Sequence, residues 1–302
     1  MLAHEILIII SLSSEDAVVL TIAVRESERR CHASSCVTCG TQYPEADAPS
    51  ASCPICEDDR QYVDAAGQQW TALDEVRAQH HNAFTEIAPG LTGIQSSSGI
   101  GIGQRAHLIE TPAGNILWNC LTLIDDDTVA EIERRGGLSA IAISHPHFYT
   151  TMAEWSRAFG DIPVYLHSDD AEWVVQPGDH VQHWHGETFE PLADSGITLI
   201  RCGGHFPGSS VLHWPGGFDG TGALFTGDTI YVVADNRWVT FMYSYPNDIP
   251  LSPRAVRHIA RAVTSYQFDR LYSAFGRPVE ADANGAVRRS AERYIVHIED
   301  HA

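Results

Sequence analysis

The apolar residues of this chain come in short runs that stop at glycines. Residues 140–143 are small or branched apolar residues that follow two glycines at 136–137. Comparable runs lie at residues 199–202, where Arg201 is the one charged residue, and at residues 223–225, and a glycine follows each of them within two positions. Short apolar runs between turn residues are typical of buried β-strands, so the pattern predicts three strands here.

Predicted helices alternate with predicted strands from residue 62 onward. Residues 71–82 have apolar positions at helical spacing. Acidic residues at 125–127 favour the start of a helix over 129–135. A serine followed by proline at 252–253 is typical of an N-cap and a first helical turn. The alternation indicates an α/β protein.

Each of the three predicted strands is followed by a side chain that binds metals. His145 and His147 follow the first strand, His205 follows the second and Asp228 follows the third. Pro146 restricts its own backbone and keeps His145 extended, so the first two imidazoles can converge on one point. Three imidazoles and a carboxylate form a typical zinc-binding set, and the pattern therefore predicts a metal site.

These motifs resemble, in order and spacing, those of the metallo-β-lactamase-fold hydrolases, and especially the glyoxalase II-like branch. The matching motifs are His145-Pro146-His147, Gly204-His205 with Pro207-Gly208-Ser209, and Thr226-Gly227-Asp228. The resemblance covers roughly residues 63–302, and residues 106–120 look like the opening hairpin of that fold. It implies an αββα sandwich of the α/β class and a metallohydrolase.

Two departures from the family pattern concern its second metal. The fifth and sixth residues of the first histidine motif are Tyr149 and Thr150, where the family has aspartate and histidine. The segment 270–276, where the family has a late histidine, contains none. The resemblance therefore implies that the first metal site is kept and the second is lost.

The expected function is hydrolysis by a mononuclear metal site of three histidines and one aspartate. The bound metal is expected to activate water against an ester, thioester or lactone carbonyl. Asp228 either ligates the metal or acts as the base, and Tyr149 is a candidate donor to the oxyanion. An aromatic segment after Asp228 is a candidate substrate-pocket wall, with Arg237 to hold an anion beside Trp238 and Tyr243.

Two other functions stay open at this stage. Persulfide dioxygenases resemble this family and hold one iron with two histidines and an aspartate, so a mononuclear iron oxygenase is the first alternative. A third imidazole would occupy a position that oxygen and substrate need. The second alternative is a non-catalytic binding protein in which the metal is structural.

Two C-x2-C pairs precede the predicted hydrolase domain. Cys36 and Cys39 form one pair, and Cys53 and Cys56 form the other. Two such turns are typical of a zinc ribbon or a rubredoxin-like knuckle pair, with four thiolates around one ion. We expect one zinc here and one in the active site, with iron as the alternative at either. Disulfides would require an oxidising compartment, and no signal peptide is evident.

Length and charge complete the sequence-based predictions. The 302 residues are divided into an extension of uncertain status at 1–30, a zinc-ribbon-like domain at 31–62 and a metallo-β-lactamase-like domain at 63–302. The net charge of -20 argues against nucleic acid, and the apolar run at residues 6–12 is too short to span a membrane. We expect a cytoplasmic enzyme with a small-molecule substrate, and a homodimer stays open.

Overall fold

The computed structural model describes residues 33–299 of the chain. The predicted extension at residues 1–30, together with Cys31 and His32, lies outside the described residues. Within them the predicted mixed α/β class is confirmed.

The four cysteines of the two C-x2-C pairs lie in a small N-terminal unit. Its elements are β1 (Ser34–Cys36), α1 (Pro54–Glu57) and β2 (Trp70–Ala72). β1 and β2 pair in antiparallel fashion, so residues 70–72 join this unit beyond the boundary predicted at residue 62. We call residues 33–72 the four-cysteine unit. Its apolar core consists of the four cysteines with Tyr43 and Ile55. A core of this size buries little apolar surface, so a bound metal that links the cysteines would stabilise the folded unit.

A seven-stranded sheet forms the first half of the larger domain. Its strands follow chain order, β3 to β9, and pairing is antiparallel as far as β6 and parallel from β6 to β9. Three helices accompany it. The elements are α2 (Leu73–Gln79), β3 (Asn82–Ala88), β4 (Leu91–Ser96), β5 (Arg105–Thr111), β6 (Gly114–Trp118), α3 (Asp126–Arg134), β7 (Ala140–Ala142), α4 (Met152–Ala158), β8 (Val164–His167) and β9 (Val181–Trp184).

A five-stranded sheet forms the second half. Its order is β10-β11-β12-β13-β18, and only the β13–β18 pair is parallel. Two short hairpins and three helical segments, one of them a single turn, complete it. The elements are β10 (Thr188–Phe189), β11 (Thr198–Arg201), β12 (Ser210–Trp214), α5 (Gly217–Gly220), β13 (Ala223–Gly227), β14 (Tyr231–Val232), β15 (Val239–Thr240), β16 (Met242–Ser244), β17 (Ile249–Pro250), α6 (Pro253–Thr264), β18 (Arg270–Ser273) and α7 (Ala283–Glu299).

Three apolar clusters hold these layers together. In the central cluster, side chains of the first sheet such as Ile116 contact side chains of the second sheet such as Phe225. The outer face of the first sheet packs against α3 and α4, where Trp155 is buried. The outer face of the second sheet packs against α6 and α7, through Ile259 and Val287. The two sheets therefore lie face to face, with helices on their outer sides.

Helix starts follow the sequence signals. The Asp125 side chain accepts a hydrogen bond from the Thr128 backbone N–H at 2.8 Å and caps α3. The Ser252 hydroxyl does the same for α6, with Pro253 in the first turn. No helix between residues 33 and 299 is long and apolar enough to cross a membrane.

The two sheets are joined by a hydrogen bond at one edge. The backbone N–H of Ser210, the first residue of β12, donates to the carbonyl of Ser144 just beyond β7 at 2.9 Å. The ends of β7, β11 and β13 consequently meet at this edge. The predicted metal ligands follow these three strands.

Candidate metal centre

Four side chains from three strand ends converge at the edge where β7, β11 and β13 end. His145 precedes a short 3-10 turn over Pro146–Phe148, and His147 lies within that turn. His205 lies in the β11–β12 connection, and Asp228 follows the last residue of β13. None of the four is more than 4% exposed. We call these four residues the histidine–aspartate cluster.

The distances within the histidine–aspartate cluster match a tetrahedral metal site. Asp228 Oδ2 lies 3.3 Å from His145 Nε2, 3.9 Å from His147 Nδ1 and 4.0 Å from His205 Nε2. His205 Nε2 and His147 Nδ1 are 3.4 Å apart. Metal–ligand bonds of about 2.0–2.1 Å in a tetrahedron separate neighbouring ligand atoms by about 3.4 Å.

Three atoms of this cluster are buried polar atoms without a hydrogen-bond partner. They are His145 Nε2, His147 Nε2 and Asp228 Oδ1. A buried polar atom left unpaired costs about 1–3 kcal/mol. A cation bound among the four side chains would engage His145 Nε2 and the Asp228 carboxylate, so the residues present fit a metal.

Hydrogen bonds on the outer side of the cluster orient its ligands. Ser144 Oγ lies 2.8 Å from His145 Nδ1. The Nδ1–H of His205 donates to the Tyr243 carbonyl at 2.8 Å, which leaves the Nε2 lone pair free to face the centre. The Tyr245 hydroxyl donates to the Asp228 carbonyl at 3.0 Å.

The protonation states of the cluster suit a metal. Burial lowers the pKa of His147 to about 4 and holds the pKa of His205 well below its usual value, so both imidazoles are neutral at physiological pH. Burial alone would raise the pKa of Asp228, but the His145 and His147 imidazoles beside its carboxylate outweigh burial and hold that pKa well below its usual range. Neutral imidazoles and an ionised carboxylate are the forms that bind divalent cations.

Gly227 permits the close approach of two strand ends. Its φ is +53°, and a Cβ on this residue would lie only 2.5 Å from Ser144 Oγ. A larger residue would displace the hydroxyl that contacts His145. The glycine of the Thr226-Gly227-Asp228 motif is therefore required by the packing of the site.

A cavity of about 340 Å³ opens onto the histidine–aspartate cluster. His147, His205 and Asp228 form its floor, and residues of the four-cysteine unit form part of its wall. The other lining residues are Arg60, Gln61, Tyr62, Gly101, Ile102, Tyr231, Tyr245, Pro246 and Phe275.

The second group of potential metal ligands is the four-cysteine cage, made of Cys36, Cys39, Cys53 and Cys56. The Cys36 and Cys56 sulfurs are 3.5 Å apart, and the Cys39 and Cys53 sulfurs are 3.6 Å apart. Zinc–sulfur bonds of about 2.3 Å give sulfur separations of about 3.8 Å, so the cage fits one ion. All four residues are buried. Among residues 33–299, this cage and the histidine–aspartate cluster are the two groups able to hold a metal in this way.

Comparison with known proteins shows a family and a fold. No protein-family model matches this chain. The uncharacterized protein YmaE of Bacillus subtilis (strain 168) is 47% identical over 262 residues, which is 86% of this chain and 94% of YmaE. The chain belongs to the YmaE family.

Solved structures similar to this member of the YmaE family are metallo-β-lactamases. The DIM-1 metallo-β-lactamase aligns with 72% of this chain and 98% of its own, with a TM-score of 0.55 and 15% identity. The FIM-1 metallo-β-lactamase of Pseudomonas aeruginosa, in its mono-zinc form, aligns with 71% of this chain and 96% of its own, with a TM-score of 0.51 and 16% identity. At these identities the comparison shows the metallo-β-lactamase fold and nothing finer.

In this YmaE-family chain, neither of the two positions that depart from the hydrolase motif lines the cavity. Tyr149 is buried among apolar side chains, and its hydroxyl lies 3.5 Å from the Asp170 carbonyl, so it does not line the cavity predicted to hold the oxyanion. The backbone carbonyl of Thr150 accepts from the Gln42 N–H of the four-cysteine unit at 3.0 Å. Phe275, from the segment without the late histidine, lines the cavity.

The three residues predicted to form a substrate pocket are dispersed. Arg237 is exposed and pairs with Asp235 at 2.8 Å. The Arg293 guanidinium of α7 lies over the Trp238 ring, 3.7 Å from the ring centre, because the chain around Trp238 folds back onto that helix. Neither residue lines the cavity, and Tyr243 contributes its carbonyl to His205 instead.

Arg60 is a site residue that sequence reasoning did not find. It donates to the His205 carbonyl at 3.2 Å, lies 3.7 Å over the Phe206 ring and pairs with Asp58. Because 145 residues separate Arg60 from His205, no local pattern connects them. Ser144, by contrast, is adjacent to His145 and could have been found by asking which group orients that ring.

Proposed function

We propose that this chain is a metal-dependent hydrolase with one metal in the histidine–aspartate cluster, acting on an ester, thioester or lactone carbonyl. The observation that supports this most is that three members of a complete four-ligand set line an open cavity. A structural metal site is closed by protein, whereas a catalytic site keeps a position for water or substrate. The proposal takes the two face-to-face sheets and their outer helices as the αββα sandwich, and the glyoxalase II-like branch as its nearest model.

In this proposal His145, His147 and His205 hold the metal through Nε2, Nδ1 and Nε2. When bound, the metal supplies Lewis acidity that makes a water nucleophilic near neutral pH. Asp228 completes the ligand set or takes the proton of the attacking water through the oxygen that lacks a partner. The Ser144 hydroxyl orients the His145 ring, and the Tyr243 carbonyl orients the His205 ring.

A single metal in this cluster has a consequence for the substrate. The mono-zinc form of FIM-1 shows that this fold can hold one zinc. Without a second cation, the leaving group has less electrostatic help, so good leaving groups such as thiolates are favoured over amines. Tyr245, which lines the cavity with its hydroxyl bonded to the Asp228 carbonyl, replaces Tyr149 as the candidate phenol beside the reacting carbonyl.

Metal analysis with matched histidine variants tests the proposal. Protein purified without added metal is analysed for zinc and iron and assayed on a panel of esters, thioesters and lactones. We expect about two zinc ions per chain, falling to about one in His147→Ala with loss of all hydrolysis. His213→Ala is the matched control, because His213 is a buried histidine of β12 whose ring contacts the Gln267 carbonyl and the Tyr266 ring rather than either metal-ligand group.

Each other outcome of that analysis contradicts the proposal. If the cluster retains iron and the protein consumes oxygen without hydrolysing the panel, the iron oxygenase alternative replaces it. If His147→Ala binds as much metal as the unaltered protein, the cluster is not a metal site and the hydrolase proposal fails.

A further inference from the structure

We propose that the cavity selects uncharged substrate groups of apolar or aromatic character, and that the four-cysteine unit supplies the selecting wall through Tyr62. This inference rests on the proposed function, because it names the substrate class that the histidine–aspartate cluster would act on. It gives the four-cysteine unit a role in substrate selection in addition to any structural one.

The wall segment follows the four-cysteine cage closely along the chain. Arg60, Gln61 and Tyr62 begin four residues after Cys56 and all three line the cavity. The segment is fastened to the larger domain, since the Asn247 amide donates to the Asp59 carbonyl at 2.8 Å and to the Gln61 carbonyl at 3.3 Å. The cage fixes the chain just before residues 60–62, and the hydrogen bonds from Asn247 attach the same segment to the larger domain.

The opposite wall consists of aromatic rings already packed together. The Tyr231 ring lies 5.0 Å from the Tyr245 ring and 6.4 Å from the Phe275 ring, measured between centroids. Tyr62 is 47% exposed, so its ring remains available to a ligand. Rings at these separations form a rigid apolar surface that a flat or branched apolar group can contact without reorganisation.

The charges around the cavity do not favour an anion. Arg60 is the one lysine or arginine among the lining residues, and Asp58 already pairs with it through both carboxylate oxygens. Its remaining contacts are the His205 carbonyl and the Phe206 ring. A substrate carboxylate in this cavity would lose water and gain no free cation beyond the metal, which is unfavourable.

Two matched pairs of substrates test the charge preference. In the first pair, nitrophenyl 6-methylheptanoate and nitrophenyl hemiadipate have acyl groups of the same shape, and only the second is charged. In the second pair, the acetyl thioesters of N-acetylcysteamine and of mercaptopropionate place the charge in the leaving group. Metal-loaded full-length protein is assayed at about 0.5 M salt, which screens the net negative charge of the protein.

We expect kcat/KM to be more than about 10-fold higher for the uncharged member of each pair. Tyr62→Ala should lower kcat/KM for the uncharged esters about 10-fold by removing apolar contact area, whereas Tyr62→Phe should not. The matched control is Val63→Ala, because Val63 is the next residue, is 40% exposed and does not line the cavity. A preference for the charged member of either pair, or equal losses in Tyr62→Ala and Val63→Ala, overturns the inference.

A binding measurement separates this inference from the proposed function. Calorimetry compares methyl isoamyl ketone with levulinate, which have the same shape and cannot be hydrolysed. If no substrate is turned over but Tyr62→Ala weakens binding of the ketone and Val63→Ala does not, the hydrolase proposal fails and the pocket inference stands. If all substrates are turned over but neither variant changes binding or turnover, the pocket inference fails alone.

Discussion

The four-cysteine cage and the histidine–aspartate cluster are both buried, yet they are built in opposite ways. The cage draws its four sulfurs from 21 consecutive residues, and none of its four cysteines lines the cavity at the histidine–aspartate cluster. The cluster draws its ligands from three strand ends between residues 145 and 228, and one side of it faces a cavity of about 340 Å³. A closed set of thiolates suits structure, and an open set of imidazoles and a carboxylate suits catalysis.

The two regions are also in contact, and this contact makes their comparison informative. Arg60 of the four-cysteine unit donates to the His205 carbonyl, and Gln42 donates to the Thr150 carbonyl. The unit therefore contacts the larger domain both beside His205 and at Thr150. Substitutions that remove a metal ligand from one region and leave the other region unchanged test whether the two regions bind metal independently.

The largest expected effect is on the four-cysteine unit. Cys39→Ser should remove the metal from the cage and lower the free energy of unfolding of that unit by several kcal/mol, because structural zinc contributes about 10 kcal/mol or more of binding energy. Urea unfolding together with metal analysis measures both changes. Cys202→Ala, which alters a buried cysteine outside both metal groups, is the control and should retain both ions. Loss of both ions in Cys39→Ser would show that the two sites are not independent.

The next effect is on the open site. Asp228→Asn keeps the shape of the side chain but removes the charge, so we expect weaker metal binding by the cluster and a loss of hydrolysis of more than about 100-fold. Metal content and steady-state rates check this. Asp235→Asn, an exposed carboxylate paired with Arg237, should change neither. An unchanged rate in Asp228→Asn would remove this carboxylate from the proposed mechanism.

A smaller effect is expected from the hydroxyl that contacts His145. Ser144→Ala removes the 2.8 Å contact between Ser144 Oγ and His145 Nδ1. Loss of such an orienting partner weakens metal affinity or activity about 10- to 100-fold, and competition with a chelator measures it. Ser50→Ala, at an exposed position of the four-cysteine unit, is the control. Equal affinities in the two variants would mean that backbone geometry alone orients His145.

The smallest effect concerns Asp170, a buried carboxylate outside both groups of metal ligands. Its carboxylate accepts from the Gly208 N–H at 2.7 Å, and burial raises its pKa to about 7. Because the unfolded carboxyl has a pKa of about 3.9, the folded state binds the extra proton between these values, and stability falls as pH rises through this window. The stability of the Asp170→Asn variant should not fall over this pH range, because asparagine does not titrate. Between pH 5 and 6 the native protein should lose about 1 kcal/mol relative to the variant in urea unfolding. Parallel pH profiles would show that Asp170 is ionised throughout.

The parts of the site that depend on neighbouring residues were accessible from the sequence. His145 and His147 are held together by their spacing around Pro146, and the cysteines of each pair by a tight turn. His205 and Asp228 each follow a predicted strand and match a metal-binding motif in order and spacing, which predicted that they join the first two histidines. The structure brings the ligand atoms of all four within 4.8 Å of one another. Capping residues such as Ser252 were equally local, because a cap satisfies the backbone of its own helix.

The tertiary structure alone decided what surrounds these ligands. Trp238 and Arg237 follow Asp228 by ten residues or fewer, yet the chain carries them onto α7 and away from the cavity. Arg60 and Tyr62 precede the cluster by more than 80 residues, yet docking of the four-cysteine unit makes them its wall. The sequence by itself determined the donor atoms and the strands that carry them, since these depend on local spacing and strand polarity. The pocket depended on which distant surfaces pack together, and no short pattern encodes that choice.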